Sequence, residues 1–272
     1  MKKRTTPYSV LALLLLVLIA LAFVFPFYRI LTGAFGHPSN VWKAELFPSR
    51  LTLENFTQLF QQPVWRWLGN SVMICLMSML LVCLTASLAG YALAKKRFWG
   101  RRAIFTLLIC AMALPRQVVL VPLVQIMRAM GLYDTLWAVI LPTVGWPFGV
   151  FLMKQFSEAV PSEMLEAARI DGAGELRTFA SVVFPLVKPG VGALAIFTFI
   201  NTWNDYFLQL VMLSQRQNLT IALGVARLQA ADVVLYGPLI AGAALAAVPI
   251  LLLFVAFQRY FTQGITLGAV KG

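Results

Sequence analysis

"NSVMICLMSMLLVCLTASLAGYALAKKRFWGRR", residues 70–102, runs without a charge from Asn70 to Ala94 and then places five cations between Lys95 and Arg102. A helix needs roughly 20 apolar residues to cross about 30 Å of hydrocarbon, so residues 70–94 suffice for one crossing. Five more segments qualify, at about 9–31, 103–127, 136–156, 190–213 and 237–259. None shows the period-two alternation of an outer-membrane barrel. The whole chain is 60% hydrophobic and 12% charged, more apolar surface than a soluble domain can cover. The predicted fold is all-α, a polytopic membrane protein of six transmembrane helices with bilayer lipid as part of its solvent.

The net charge of +12 raises the question of nucleic acid. With both termini on one side, that side collects 14 of the 22 basic residues. They are Lys2, Lys3, Arg4, the five of 95–102, Lys154, Arg169, Arg177, Lys188, Arg259 and Lys271. Such an excess marks the cytoplasmic face. No soluble domain exists to carry a nucleic-acid patch, and none is expected to be bound. "MKKR" before an apolar run has the outline of a signal peptide, but the run continues through Phe27 and reads as an uncleaved first helix. Cys75, Cys83 and Cys110 lie inside spans, and the lone His37 lies in an external loop. Neither suggests a disulfide framework or a metal site. No Gly-rich nucleotide loop is present, and the chain is expected to perform no chemistry itself.

Three segments are expected along the chain. Residues 1–65 hold the first helix and an external stretch, where "TLENFTQLF" reads as a short surface helix that Thr52 can cap. Residues 66–260 form the transmembrane core, and 261–272 a cytoplasmic tail. Pro115, Pro122, Pro142, Pro147 and Pro249 each remove a backbone donor inside a span. Small residues gather in "ASLAGYALA" (86–94), "GVGALA" (190–195) and "AGAALAA" (241–247), which permits close helix packing in lipid.

Between the fourth and fifth spans, residues 157–189 break the apolar pattern. Glu158, Glu163, Glu166, Asp171 and Glu175 put five of the ten acidic residues within 18 positions. Ser162 suits an N-cap, with Glu163 and Glu166 in the favourable first turn and Leu165 and Ala168 on one face. Asp171-Gly172 ends that helix, and a second over 174–183 stops near Pro185. Ala167 and Ala168 leave room for another backbone, and Glu166 offers a directed charge: a docking knob rather than a solvated loop. In the fifth span Thr198, Asn201, Asp205 and Gln209 fall on one face with Asn204 beside them, which suits a cavity or partner contact. Arg116 and Gln117, beside the Pro115 bend, are weaker candidates. A secondary transporter using Asp205 as an ion or proton site is the rival reading, but it leaves 157–189 without a purpose.

"EAARIDGAGELRTFASVVFPLVKP" (166–189) resembles the coupling loop of ABC importer permeases: Glu-Ala-Ala, three residues, Gly, nine residues, Ile-x-Leu-Pro. Glu166, Ala167, Ala168, Gly172 and Pro185 match in spacing, while Val182 stands for Ile and Phe184 for Leu. Ile170-Asp171-Gly172-Ala173 is similar to the carbohydrate-uptake, maltose-type branch. So are "AGYALAKKRFWGRR", "MGLYDTLWAVILP", "FINTWNDYF" and "YFTQGITLGAVKG". The resemblance implies a bacterial inner-membrane subunit with cytoplasmic termini, paired with a second homologous permease. It also implies a cytoplasmic ATPase dimer, which holds the ATP and Mg, and a periplasmic or lipid-anchored solute-binding protein. The solute implied is a sugar, sugar derivative or polyol.

Overall fold

Proline decides where the apolar runs stay straight. The computed structural model describes residues 7–37, 46–229 and 236–269, all helix, turn or loop with no strand among them. Lys2, Lys3, Arg4, Lys43 and Lys271 of the charge count lie outside the described residues. The helices are α1 (Pro7–Ala34), α2 (Glu54–Leu59), α3 (Val64–Lys95), α4 (Arg101–Met112), α5 (Arg116–Ala129), α6 (Trp137–Val144) and α7 (Pro147–Glu158). After them come α8 (Ser162–Ile170), α9 (Glu175–Thr178), α10 (Phe184–Asn204), α11 (Tyr206–Met212), α12 (Ile221–Arg227) and α13 (Tyr236–Ala269).

Among the described residues, four helices are long and apolar enough to cross a membrane, or up to six if each of two bent pairs is one span. The third expected span is such a pair: α4 and α5 meet at 108°. Pro115 has no N–H to give and sits extended, with φ −60° and ψ 128°, so the helix restarts at Arg116. The fourth bends by 41° where Pro147 starts α7. Pro26, Pro122, Pro142 and Pro249 instead stay inside helices.

The expected stop near Pro185 does not occur. Glu175–Asn204 is a single 30-residue helix, so the fifth span begins well before residue 190. A π-turn over Phe179–Val183 precedes the proline, with the Phe184 N–H donating to the Phe179 carbonyl. Shifting the hydrogen-bond register by one residue is how a helix absorbs a proline without ending. The helix breaks instead at Asp205 (φ −78°, ψ 73°), which divides the expected 190–213 span.

The chain forms two units, residues 1–64 with 224–249, and residues 65–223 with 250–272. In the first, Asn55 is fully buried and its amide donates to the carbonyls of Gly33, Ala34 and Gly36 at 3.3, 3.1 and 2.8 Å. One side chain thereby satisfies carbonyls that the end of α1 leaves open. Thr52 is not the N-cap of α2, a position held by Leu53, but its hydroxyl accepts from the Glu54 N–H at 3.1 Å. The expected tail is helical to Ala269, and 270–272 lie outside the described residues.

The second unit packs α3, α7 and α10 around Val82, Ala86, Met153, Val183, Val187 and Leu194. Lipid is as apolar as these side chains, so close fit rather than expulsion from water holds such a seam. Gly90 makes the fit possible, because a Cβ there would lie 2.7 Å from the backbone of Met153 and Lys154. Below that contact, Lys95 donates to the carbonyls of Glu158 and Val160 at 3.1 and 2.6 Å, closing the C-terminal end of α7 with a positive charge.

Candidate functional site

Two groups of residues stand out in the second unit. The first is the turn after α7. Pro161, in extended conformation, occupies the N-cap position of α8, so Ser162 is the first helical residue and makes no side-chain cap. Glu163 therefore lies in the first turn and Glu166 one turn later. The C-terminal end is a Schellman turn: Gly172 has φ +75°, its N–H reaches the Arg169 carbonyl at 3.0 Å, and the Ala173 N–H reaches that of Ala168 at 2.9 Å. Asp171 is the exposed C-cap.

Leu165 and Ala168 face inward, where Leu165 joins the cluster of Tyr91, Val160 and Phe179. Of the alanine pair only Ala167 is open to an approaching chain, since Ala168 is buried. The outward surface combines Glu166 and Ala167 with Met164, Ile170 (87% exposed) and Leu176 (77%). Pro185 is exposed on the continuing helix.

Glu175 fixes this turn to the end of α3. It pairs with Lys96, accepts from the Tyr91 hydroxyl at 3.4 Å, and reaches Arg169 of α8 at 3.5 Å. Burial works against the charge of Lys96, but hydrogen bonds to Glu175 and Tyr91 outweigh it and raise its pKa above the ordinary lysine value.

The second group gathers where three helices break. The expected polar face of the fifth span does not continue as one helical face, because the non-helical backbone of Asp205 ends α10 and starts α11. Thr198 is buried with its hydroxyl unpaired. Gln209 is buried too, donating to the Thr202 carbonyl at 2.8 Å and accepting from the Thr220 hydroxyl at 2.6 Å. Both side chains are thus enclosed within this chain. Asn201, part-buried, and Asn204, exposed, each donate at 2.8 Å to the carbonyl four residues earlier, which leaves their amide oxygens as acceptors. Asp205 caps α11 through the Leu208 N–H at 3.3 Å and faces Arg116 at 3.5 Å.

Arg116 is the first residue after the Pro115 break, and its guanidinium lies 4.5 Å from the ring centre of Trp146. Trp146 precedes Pro147 at the α6–α7 break and stacks on Phe197, with ring centres 5.4 Å apart at 9°. Three breaks thus meet at one cation, one carboxylate and an aromatic stack. Sequence reading singled out Arg116 and Asp205 but missed Trp146 and Phe197. The available signal was Trp146 adjoining a proline, as Arg116 does.

Asp134 was also missed. At φ +61° it accepts from the backbone N–H groups of Ser214 (2.8 Å) and Gln215 (3.1 Å), while its own carbonyl holds the Asn218 amide at 2.5 Å. Burial pushes its pKa up, yet those backbone donors prevail and hold it below the usual carboxylate value.

Residues 82–267 match the family described as "Binding-protein-dependent transport system inner membrane component". The chain is 37% identical over 281 residues to the arabinooligosaccharides transport system permease protein AraQ of Halalkalibacterium halodurans, covering all of both chains. It is 34% identical over 266 residues to the maltodextrin transport system permease protein MdxG of Bacillus subtilis, covering 95% of each. Its fold is similar to that in a crystal structure of a bacterial ABC transporter involved in import of the acidic polysaccharide alginate. The TM-score is 0.83 at 20% identity, over 96% of this chain and 100% of that one.

Proposed function

The chain belongs to the family of binding-protein-dependent transport system inner membrane components, and we propose on that premise that it forms half of the path for a sugar or oligosaccharide. It is a transport subunit of an ABC importer rather than an enzyme. The sugar class is supported by relatives whose names specify arabinooligosaccharides and maltodextrin. A second permease completes the path, an ATPase dimer binds ATP and Mg, and a solute-binding protein delivers cargo. Both bent pairs count as spans in this reading. Six crossings then put both termini and residues 157–189 on the cytoplasmic side, with the basic excess.

The single observation that carries the coupling role is the outward surface of α8 and its Schellman turn. Glu166, Ala167, Asp171 and Gly172 lie exposed on a knob whose back is fastened to the chain's own core. Ala168 serves from behind, by letting α8 sit close, and Pro185 from within the long helix that leads away. Asp205 needs no ion-carrying role, since Arg116 and the α11 cap already engage it.

The test compares Glu166→Lys and Gly172→Val with wild type. Val at φ +75° adds about 1–2 kcal/mol of backbone strain, and loss of one interface anchor costs on the order of 2 kcal/mol, roughly 30-fold in affinity. Membrane insertion persists, while ATPase pull-down and solute-stimulated hydrolysis fall. Normal ATPase binding and stimulation by both variants would refute the docking role.

A further inference from the structure

The turn between α3 and α4 contains more cation than the fold consumes. Of its five basic residues, Lys95 is spent on the α7 carbonyls and Lys96 on Glu175. Arg101 folds back onto the carbonyls of Ala94 and Lys96, at 3.3 and 3.2 Å. Arg97 and Arg102 are left exposed, with no carboxylate against them among the described residues. Between them the chain turns through Gly100 at φ +83° and presents Trp99, 99% exposed, beside Phe98 at 43%.

A wholly exposed indole is costly in bulk water but suits the bilayer interface, where an apolar ring with one polar edge is solvated on both counts. The turn's position decides the solvent. It joins α3, a 32-residue candidate span, to the first arm of a bent pair that also passes for one. It therefore lies at the end of membrane helices, at headgroup depth. Two guanidiniums at that depth match a phosphate, which accepts two parallel N–H bonds from each fork.

We propose that Arg97, Trp99 and Arg102 form a binding site for the headgroup of an anionic phospholipid, the guanidiniums on the phosphate and the indole in the glycerol layer. The site does not depend on which solute is transported. Anionic lipid concentrates on the cytoplasmic leaflet, the side to which the basic excess assigns this turn. Charge complementarity favours lipid over a protein partner: the patch offers cations around an apolar ring, with no acidic or amide groups of its own.

The assembled importer, purified and placed in nanodiscs of phosphatidylglycerol and phosphatidylcholine mixed equally, supplies the test. Phosphatidylglycerol retained on the permease is counted by native mass spectrometry for wild type, Arg97→Gln/Arg102→Gln, and the control Arg177→Gln/Lys188→Gln, which removes the same charge elsewhere. Each guanidinium near the surface contributes about a fivefold preference, so the first double variant loses roughly 30-fold in retention and the control little. A brominated phosphatidylglycerol quenches wild-type fluorescence more than that of Trp99→Phe. Equal loss in both double variants would mean net charge alone and overturn the site. Unchanged lipid retention with loss of the ATPase subunit would overturn it too, assigning the patch to a protein contact.

Discussion

Asp205 has two separable tasks, and two substitutions separate them. Asn keeps the α11 cap, because its amide oxygen accepts from the Leu208 N–H as the carboxylate does, but it abandons the charge opposite Arg116. That pair is 3.5 Å long with side-chain exposures of 48% and 20%, so screening limits its worth to about 0.5–1 kcal/mol. Ala loses the pair and the cap together, the cap adding about 1 kcal/mol. Thermal unfolding in detergent should rank wild type above Asp205→Asn and that above Asp205→Ala, with steps of about 2–4 °C per kcal/mol. A double-mutant cycle with Arg116→Gln should return a coupling of about 0.5–1 kcal/mol. Solute uptake into proteoliposomes reads the other property. If Asp205 lies on the path, Asp205→Asn lowers uptake by more than its small step in melting point accounts for. Zero coupling, or equal melting of Asn and Ala variants, refutes the structural assignment; normal uptake by Asp205→Ala removes the residue from the path.

Gly90→Ala forces a methyl to within 2.7 Å of the α7 backbone, and overpacking of that kind costs about 1–3 kcal/mol. Gly69→Ala in the same helix meets nothing within 4 Å, so its melting point should hold or rise by helix propensity; a parallel fall in both would dismiss the close-approach argument. Because the pKa of Asp134 is depressed, its stabilisation is complete above the unfolded value of about 3.9 and is lost as pH falls through the lower folded value. Unfolding followed from pH 6 to 2 should show that acid loss in wild type and a smaller one in Asp134→Asn, which is less stable at pH 6; identical profiles would contradict a stabilising part for the carboxylate's bonds to Ser214 and Gln215.

Hydrophobic run length revealed the class of fold, and residue types at short range revealed α8 and its glycine turn, since both are local properties. Pro115 and Pro185 show where local reading fails. Each removes one N–H, yet one turns the chain by 108° and the other is carried straight through. The difference is set by neighbours, since the π-turn before Pro185 has already shifted the bonding register. The polar stripe is interrupted for a related reason. Spacing of three and four puts Thr198, Asn201, Asp205 and Gln209 on one face only while the helix continues, and Asp205 caps a new helix instead. Gln209 is used up by Thr202 and Thr220, a pairing across a loop that no periodicity anticipates.

The unbroken helix from Glu175 to Asn204 is, mechanically, a lever. Thirty residues at 1.5 Å each make a rod of about 45 Å. Gly190 lies at its midpoint and sits close against a neighbour, where an added Cβ would come within 2.5 Å of the Phe156 ring. A rod pinned at its centre reverses motion: a tilt of about 5° carries each end about 2 Å, in opposite directions, on the same geometry. With Gly190 as the pivot, pulling the Glu175 end inward would swing Asn204, and the break at Asp205, outward at equal amplitude. A pivot at the midpoint would set that ratio at one to one, so a rigid rod would deliver displacement at one end to the other with neither gain nor attenuation.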